Sequence, residues 1–199
     1  MEPGNRPASV SAFVGSPRRG GNTEILVDEI LQGASEEGAN PTKHRLSELQ
    51  IGPCRGCDAC RELGECVQKD DMPALLRRME ESHIWVFGTP VYWWGPTAQF
   101  KLFMDRWYGA GAIVHPKGKL AILAVTLGDT QASTARHTVG MFEDALRYLD
   151  VELHATVIAA GVNARGEIRG FTDVLERARR TGRDAVAAFT DIGNRKGAT

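Results

Sequence analysis

Short apolar runs alternate along this chain with segments of helical periodicity. Strands are predicted at 10–14, 42–46, 84–88, 120–126 and 157–160, with the weakest signal at 42–46. Helices are predicted at 22–38, 72–79, 97–108, 137–149 and 172–189. Strands separated by helices are joined by right-handed crossovers into a parallel sheet. The alternation therefore predicts an α/β fold, a doubly wound five-stranded parallel sheet with helices on both faces.

The size and composition of the chain fit one ordinary α/β domain. It has 199 residues, of which 42 % are hydrophobic and 25 % charged, and its formal net charge is −1. We expect a single domain over residues 1–199, and no nucleic-acid partner because the chain has no basic surplus. The start, MEPGNRPASVSAFVG, lacks the apolar stretch of a signal peptide, and no segment approaches the roughly 20 apolar residues of a membrane helix. The sequence predicts a cytoplasmic protein without membrane association.

Three loops are expected at the ligand-binding edge of this sheet. Open α/β sheets bind ligands beyond the carboxyl ends of their strands, near the switch in strand order. Here these are the loops after strands one, three and four, at 15–21, 89–96 and 127–133.

The first of these loops, GSPRRGGNT at 15–23, runs from a strand directly into a helix. Free N–H groups and the dipole at a helix N-terminus favour an anion. Ser16 and Thr23 can donate hydroxyl hydrogen bonds, and Arg18 can add a charge-assisted one. The loop has neither the Lys-Ser/Thr ending of an ATP site nor a dinucleotide fingerprint, so a cofactor monophosphate fits best. The alternative is a polar turn in which Asn22 simply caps the helix.

The second loop, TPVYWWGP at 89–96, carries three adjacent aromatic residues. A flat, electron-poor ring such as isoalloxazine would stack on them. The alternative is a subunit interface, which also favours tryptophan and tyrosine, and both roles are compatible if the ring lies at a dimer interface. Asp105 and Arg106, at the end of the following helix, are expected to form a surface or interface ion pair.

Four cysteines lie in an unpatterned loop at 51–69. Cys54, Cys57, Cys60 and Cys66 have the spacing C-x2-C-x2-C-x5-C. The first three resemble the start of a bacterial ferredoxin run, and the fourth can close the same iron–sulfur cluster. Zinc sites usually come as two separated pairs of ligands, and a redox dithiol needs only two cysteines. An iron–sulfur cluster is therefore favoured over zinc, a dithiol or unligated thiols.

Three segments, in this order, resemble the iron–sulfur flavoproteins of the NADPH-dependent FMN reductase branch of the flavodoxin-like superfamily. They are GSPRRGGNT, CRGCDACRELGECVQKDDM and GTPVYWWGPTAQFKLFMDR. The resemblance implies strand order 2-1-3-4-5, FMN, a 4Fe–4S cluster and a homodimer or homotetramer. It implies that the FMN phosphate is held by Ser16, Arg18, Gly21, Asn22 and Thr23. It places Pro90, Val91, Tyr92, Trp93, Trp94 and Gly95 beside the isoalloxazine, with Thr126, Gly128 and Asp129 on its other side. It makes Cys54, Cys57, Cys60 and Cys66 the cluster ligands.

The resemblance implies an FMN-dependent oxidoreductase that moves electrons between a small-molecule substrate or NAD(P)H and a one-electron acceptor such as ferredoxin. A flavin accepts electrons singly or in pairs, whereas a cluster passes one at a time, and the protein supplies position and electrostatics. Three alternatives remain at this point. They are an NAD(P)H:quinone or FMN reductase without a cluster, an electron carrier without a small-molecule substrate, and a dedicated dehydrogenase of one small cyclic metabolite, such as one that oxidises a cyclohexadiene acid to an aromatic acid.

Overall fold

The computed structural model describes residues 7–109 and 118–197, with no description of side chains at Gly109 and 192–197. Its five strands form one parallel sheet in the order β2-β1-β3-β4-β5. They are β1 Ser9–Val14, β2 Asn40–Arg45, β3 Ile84–Pro90, β4 Leu120–Leu127 and β5 Glu152–Ala160. This is the predicted flavodoxin-like order, and the predicted fold is confirmed. The single-domain prediction extends over 1–199 and so includes residues outside the described ranges.

Six α-helices connect and cover the strands of the described ranges. They are α1 Asn22–Glu36, α2 Ala59–Leu63, α3 Met72–Glu81, α4 Ala98–Asp105, α5 Arg136–Tyr148 and α6 Thr172–Gly197. Two of them differ most from the sequence prediction, while the other four agree with it to within three residues. The cysteine loop, residues 51–69, contains the five-residue helix α2. The C-cap residue of α2 is Gly64, whose left-handed φ of 75° suits that position. The last helix continues beyond residue 189 to Gly197.

Two hydrophobic cores lie on opposite faces of the sheet. One packs α1 and α6 against β1, β3 and β4 and includes Leu26, Ile30 and Val86. The other packs α3, α4 and α5 and is rich in aromatic rings, among them Trp85 and Phe100. β4 is buried along its whole length, as expected for a central parallel strand covered on both faces.

Glycines allow α1 and α6 to approach closely. A Cβ on Gly33 would stand 1.8 Å from the carbonyl oxygen of Arg179, and one on Gly182 would stand 2.0 Å from that of Ile30. No side chain fits in these gaps, so the two backbones meet directly. Ion pairs from Arg179 and Arg183 to Glu36 flank the contact.

Candidate functional site

A cavity of about 200 Å³ opens at the carboxyl edge of the sheet, where sequence analysis expected a ligand. Nine of the fourteen predicted cofactor-binding residues line it: Ser16, Arg18, Asn22, Thr23, Pro90, Val91, Tyr92, Thr126 and Gly128. They come from the segment between β1 and the first turn of α1, and from the carboxyl ends of β3 and β4 with the loops that follow, which the parallel sheet brings together. Gly21, Trp93, Trp94, Gly95 and Asp129 are not on its wall.

The floor of this cavity is the start of α1. Gly21 is the N-cap residue and has no side chain that could cap the helix. The first N–H groups of α1 therefore receive no hydrogen bond from an N-cap side chain. A side chain on Gly21 would meet the Arg18 carbonyl oxygen at 2.8 Å. The buried Thr23 hydroxyl lies 2.6 Å from that of Thr126 on β4. This corner combines helix N–H groups, hydroxyls and a guanidinium, a donor set suited to a phosphate.

Asn22 has a different contact pattern from the one predicted. Its amide nitrogen donates to the carbonyl of Ala164 at 2.9 Å, and its side-chain oxygen accepts from the N–H of Ile168 at 3.2 Å. Asn22 therefore fastens the loop after β5 to the start of α1. Its side chain is committed to protein contacts, although it lines the cavity.

Sequence analysis missed Asn163, which lies in that loop after β5 and also lines the cavity. Its amide nitrogen donates to the carbonyl of Gly128 at 3.1 Å, and its own carbonyl accepts from Arg18 at 3.2 Å. A Cβ on Gly128 would stand only 2.0 Å from the Asn163 side-chain oxygen. Asn163 stands in no recognisable motif, and the only available signal was its place after a strand of the same sheet.

Glu24 anchors the loop between β1 and α1. Its carboxylate accepts from the N–H of Gly20 at 2.7 Å, from Lys43 at 2.8 Å and from Arg45 at 2.7 Å. Burial by itself would raise the pKa of Glu24, but these hydrogen bonds and charges outweigh it and lower the pKa to about 2. The carboxylate is therefore charged at neutral pH and holds Gly20 in place.

The tryptophans of the aromatic loop form a tight turn with an unusual backbone. Tyr92 and Gly95 exchange two backbone hydrogen bonds, of 2.9 and 3.0 Å. Between them Trp93 and Trp94 have φ of 49° and 62°. Positive φ at both central positions is the pattern of type I′ turns, which favour Asn-Gly. For a residue other than glycine, asparagine or aspartate, each such positive φ costs about 1 kcal/mol.

This turn is fixed from α5 and leaves its rings in solvent. The Thr138 hydroxyl donates to the carbonyl of Trp94 at 3.0 Å. Trp93 is 92 % exposed and Trp94 51 % exposed. Tyr92 alone of the three aromatics reaches the cavity wall. The rings therefore lie on the rim, where a ligand or another protein surface can reach them.

Asp129 serves its own loop. Its carboxylate accepts from the N–H of Gln131 at 2.9 Å and from the Thr134 hydroxyl at 2.6 Å. The Gln131 N–H, followed by the Thr134 hydroxyl, holds the pKa of Asp129 below its ordinary value. These contacts shape the turn after β4 and keep the carboxylate off the cavity wall.

The four cysteines line one concavity in the cysteine loop. Cys54 and Cys57 are exposed, and Cys60 and Cys66 are partly buried. The backbone turns around this point through left-handed residues Gly56 and Asp58, with φ of 61° and 55°. Within the described ranges, no three metal-ligating side chains converge closely enough to hold a single ion.

The predicted ion pair between Asp105 and Arg106 is wrong. Asp105 instead pairs with Lys101. Arg106 is 2 % exposed, and its guanidinium donates to Asp70 at 2.6 Å and to the Cys66 sulfur at 3.4 Å. The nitrogen that lies 2.6 Å from Asp70 also donates to the carbonyl of Gly52 at 2.9 Å, and the other terminal nitrogen donates to the second Asp70 oxygen at 3.3 Å. One side chain thus joins the start of the cysteine loop, its last cysteine and the segment just before α3.

One short helix connects the two candidate sites. α4 begins at Ala98, and its N-cap residue Thr97 directly follows the aromatic loop. The Thr97 hydroxyl donates to the carbonyl of Gly15 at 2.7 Å and accepts from Phe100 N–H. Its far end leads into the 3-10 turn Arg106–Gly109, which contacts the cysteine loop. Eight helical residues span about 12 Å. The cavity and the cysteines are therefore attached to opposite ends of one rigid element.

Comparison with known protein families shows to which family this chain belongs. Residues 8–168 match the family model described as NADPH-dependent FMN reductase. The chain belongs to this family. The predicted relationship to this family is therefore confirmed, and the description of the family names an FMN reductase activity.

Individual relatives point the same way over part of their length. An iron–sulfur flavoprotein of Methanocaldococcus jannaschii is 42 % identical over 97 residues, 49 % of this chain and 50 % of the relative. One of Archaeoglobus fulgidus is 41 % identical over 107 residues, 54 % of this chain and 49 % of the relative. The matched segments thus span about half the length of these curated relatives.

Solved structures share the fold. The NAD(P)H:quinone oxidoreductase from Methanothermobacter marburgensis superposes with a TM-score of 0.71 at 20 % identity, over 90 % of this chain and 96 % of that one. At this identity the likeness supports the fold alone. In the described part of the chain, no helix has a stretch sufficiently long and apolar to span a membrane.

Proposed function

We propose that this FMN reductase family member binds FMN in the cavity at the carboxyl edge of the sheet and a 4Fe–4S cluster on Cys54, Cys57, Cys60 and Cys66. In this proposal it moves electrons between a small-molecule substrate or NAD(P)H and a one-electron acceptor, with ferredoxin as a candidate. The observation that carries the proposal is the arrangement of the two candidate sites at opposite ends of α4.

The cavity residues fit FMN by their donor chemistry. The N–H groups at the start of α1, the Ser16 and Thr23 hydroxyls and Arg18 would hold the terminal phosphate. Pro90, Val91 and Tyr92 would border the isoalloxazine on the side of β3. The residues offer one anion corner, which suits a monophosphate cofactor.

The cysteine loop fits a cluster by its ligand set and its surroundings. Four thiols line one concavity, and a cluster binds each thiolate at a different iron, so the sulfurs need not converge on one ion. The buried Arg106 offers a positive charge to thiolates beside it. Tyr108 fastens the loop from the opposite side, since its hydroxyl donates to Asp58 at 3.0 Å and accepts from Arg61.

Together the two cofactors would couple a two-electron donor to a one-electron acceptor. The residues of the chain bind and orient them. Glu24 and Asn22 hold the loops around the anion corner, and Thr97 ties the start of α4 to Gly15. Arg106 and Asp70 hold the two ends of the cysteine loop against the end of α4.

Anaerobic purification tests the proposal directly. We expect the protein to release FMN on denaturation and to contain about four iron and four sulfide per chain. Reduction should bleach both flavin and cluster absorption and produce an EPR signal from the reduced cluster. Release of FAD would contradict the flavin assignment. Stoichiometric zinc without iron, in protein made anaerobically with iron supplied, would contradict the cluster assignment.

A second candidate is an NAD(P)H-dependent quinone or FMN reductase that holds no cluster. The exposed positions of Cys54 and Cys57 favour it. The name of the structurally similar quinone oxidoreductase points to the same activity class. Turnover of NADPH and a quinone that survives replacement of all four cysteines would establish this candidate. We further propose that the protein is a cytoplasmic homodimer or homotetramer, which sedimentation would test.

A further inference from the structure

Arg106 is a charged residue that is almost completely buried. Among residues whose burial the structure describes, it is the only buried arginine or lysine. Burying a guanidinium is costly unless its charge and its donors find partners. The cation therefore needs negative charge close to it.

Asp70 supplies part of that charge and is itself heavily engaged. Its carboxylate also accepts from the N–H of Gly52 at 3.0 Å and from that of Met72 at 3.1 Å. The pair thus holds together the start of the cysteine loop, the start of α3 and the turn after α4. Asp70 thus reaches both terminal nitrogens of the guanidinium, at 2.6 and 3.3 Å.

The second terminal nitrogen of Arg106 is shared between oxygen and sulfur. It donates to the other carboxylate oxygen of Asp70 at 3.3 Å and to the Cys66 sulfur at 3.4 Å, and Nε is buried without a hydrogen-bond partner among the described residues. A buried donor without an acceptor is destabilising. The cation is therefore better matched to a more negative neighbour than a neutral thiol, such as a thiolate that ligates metal.

We propose that Arg106 is a positioning residue for the cysteine site, which orients Cys66 through an N–H···S hydrogen bond and stabilises the added negative charge when the site accepts an electron. The inference rests on the proposed cluster. The step is the transfer of one electron from the reduced donor, with no bond broken and no proton moved. Hydrogen bonds to sulfur and nearby charge are known determinants of the potential of such clusters.

The midpoint potential of the cluster, measured by EPR-monitored redox titration, tests this role. In Arg106→Gln the equilibrium constant for one-electron reduction should fall about tenfold, which for one electron is a shift of about 59 mV to more negative potential. Arg106→Lys, which keeps the charge but loses the planar fork, should recover part of the shift. Lys69→Gln is the matched control, because Lys69 is in the same loop but its side chain is exposed. It should shift the potential much less, since solvent screens an exposed charge.

Iron content and flavin content separate the possible failures. If the unmodified protein lacks iron, the proposed cluster and this inference both fall. If the unmodified protein holds the cluster and Arg106→Gln holds it at an unchanged potential, this inference is overturned while the proposed function stands. Should Arg106→Gln not fold, the double variant with Asp70→Asn removes the carboxylate left unpaired and gives the same measurement. A shift in the double variant that Asp70→Asn alone does not reproduce supports the proposal, and no shift overturns it.

Discussion

The Oγ1 atoms of Thr23 and Thr126 lie 2.6 Å apart, so a buried hydrogen bond joins the first turn of α1 to the carboxyl end of β4. The two residues are far apart in sequence but line the same cavity. Their contact fixes the helix start relative to the strand edge. The geometry of the proposed phosphate corner therefore depends on a pair of hydroxyls within the core of the sheet.

Replacing Thr23 by Glu should abolish flavin binding. The new carboxylate would stand at the start of α1, where it repels the phosphate and competes for the helix N–H groups. We expect at least a hundredfold weaker binding of FMN, measured by fluorescence quenching on titration of the apoprotein. Thr23→Ser keeps the hydroxyl and is the control. Flavin that still co-purifies with folded Thr23→Glu would show that the phosphate lies elsewhere.

Replacing Gly128 by Ala should weaken FMN binding through Asn163. The added Cβ would stand 2.0 Å from the Asn163 side-chain oxygen, so that side chain must move and its bond to the Gly128 carbonyl is lost. We expect about fivefold weaker FMN binding, measured by the same titration, since one hydrogen bond is worth about 1 kcal/mol.

Gly140→Ala is the matched control for this change. Gly140 lies in α5, and a Cβ there meets nothing within 4 Å. Alanine should raise the free energy of unfolding by up to about 1 kcal/mol, because glycine is a poor helix former. Its flavin affinity should stay unchanged. Equal effects of both substitutions on FMN affinity would contradict the role given to Asn163.

Glu24 should make stability depend on pH in acid. Its pKa in the folded protein is about 2, below the ordinary 4.5 of an unfolded glutamate. A lowered pKa means that the folded state favours the charged form, so the stabilisation is complete above pH 4.5 and is lost as the pH falls towards 2. The difference corresponds to about 3 kcal/mol, of which roughly half remains at pH 3.

Urea unfolding at pH 7 and pH 3 measures this contribution. The free energy of unfolding of Glu24→Gln should change less between the two pH values than that of the unmodified protein, by about 2 kcal/mol. Asp144→Asn, which removes an exposed carboxylate paired with Arg147 on the surface, serves as the control. An identical pH dependence in Glu24→Gln and the unmodified protein would contradict the assigned role.

Much of this architecture was predictable from sequence because its signals are local. The apolar runs of β1, β3 and β4 and the loop before Asn22 each show their character within a few residues. Arg106 was misinterpreted because its partner Asp70 lies 36 positions away, while Asp105 stands beside it in the sequence. Asn163 was missed because it acts through a position in the sheet and not through a motif. The positive φ of Trp93 could not be foreseen, since these turns normally carry Asn or Gly.

Two substitutions of Trp94 should separate the effect of backbone strain on stability from the role of the aromatic ring. Trp94→Gly and Trp94→Ala both remove the ring, but only glycine is at ease at a φ of 62°. We expect Trp94→Gly to have a free energy of unfolding about 1 kcal/mol higher than Trp94→Ala, by urea denaturation. Both should lower kcat/KM about tenfold while flavin content changes little, if the ring forms one wall of the substrate site. A variant that becomes monomeric with normal turnover would assign the rings to a subunit interface instead.

Replacing Cys60 by Ala should remove the cluster and leave FMN bound. Cys60 lies in α2 of the cysteine loop, whereas none of the cysteines lines the cavity. A four-thiolate cluster that loses one ligand is expected to be lost or degraded, so iron should fall from about four per chain towards zero. Reduction of one-electron acceptors should fall far more than hydride exchange at the flavin, measured with ferricyanide or cytochrome against NADPH oxidation with a quinone.

Ser133→Ala, a change in the loop after β4 and outside both candidate sites, is the control for iron lost during purification. If Cys60→Ala keeps its full iron and acceptor activity, the four cysteines do not form the cluster. If neither protein contains iron and both oxidise NADPH equally, the quinone reductase without a cluster is the correct assignment.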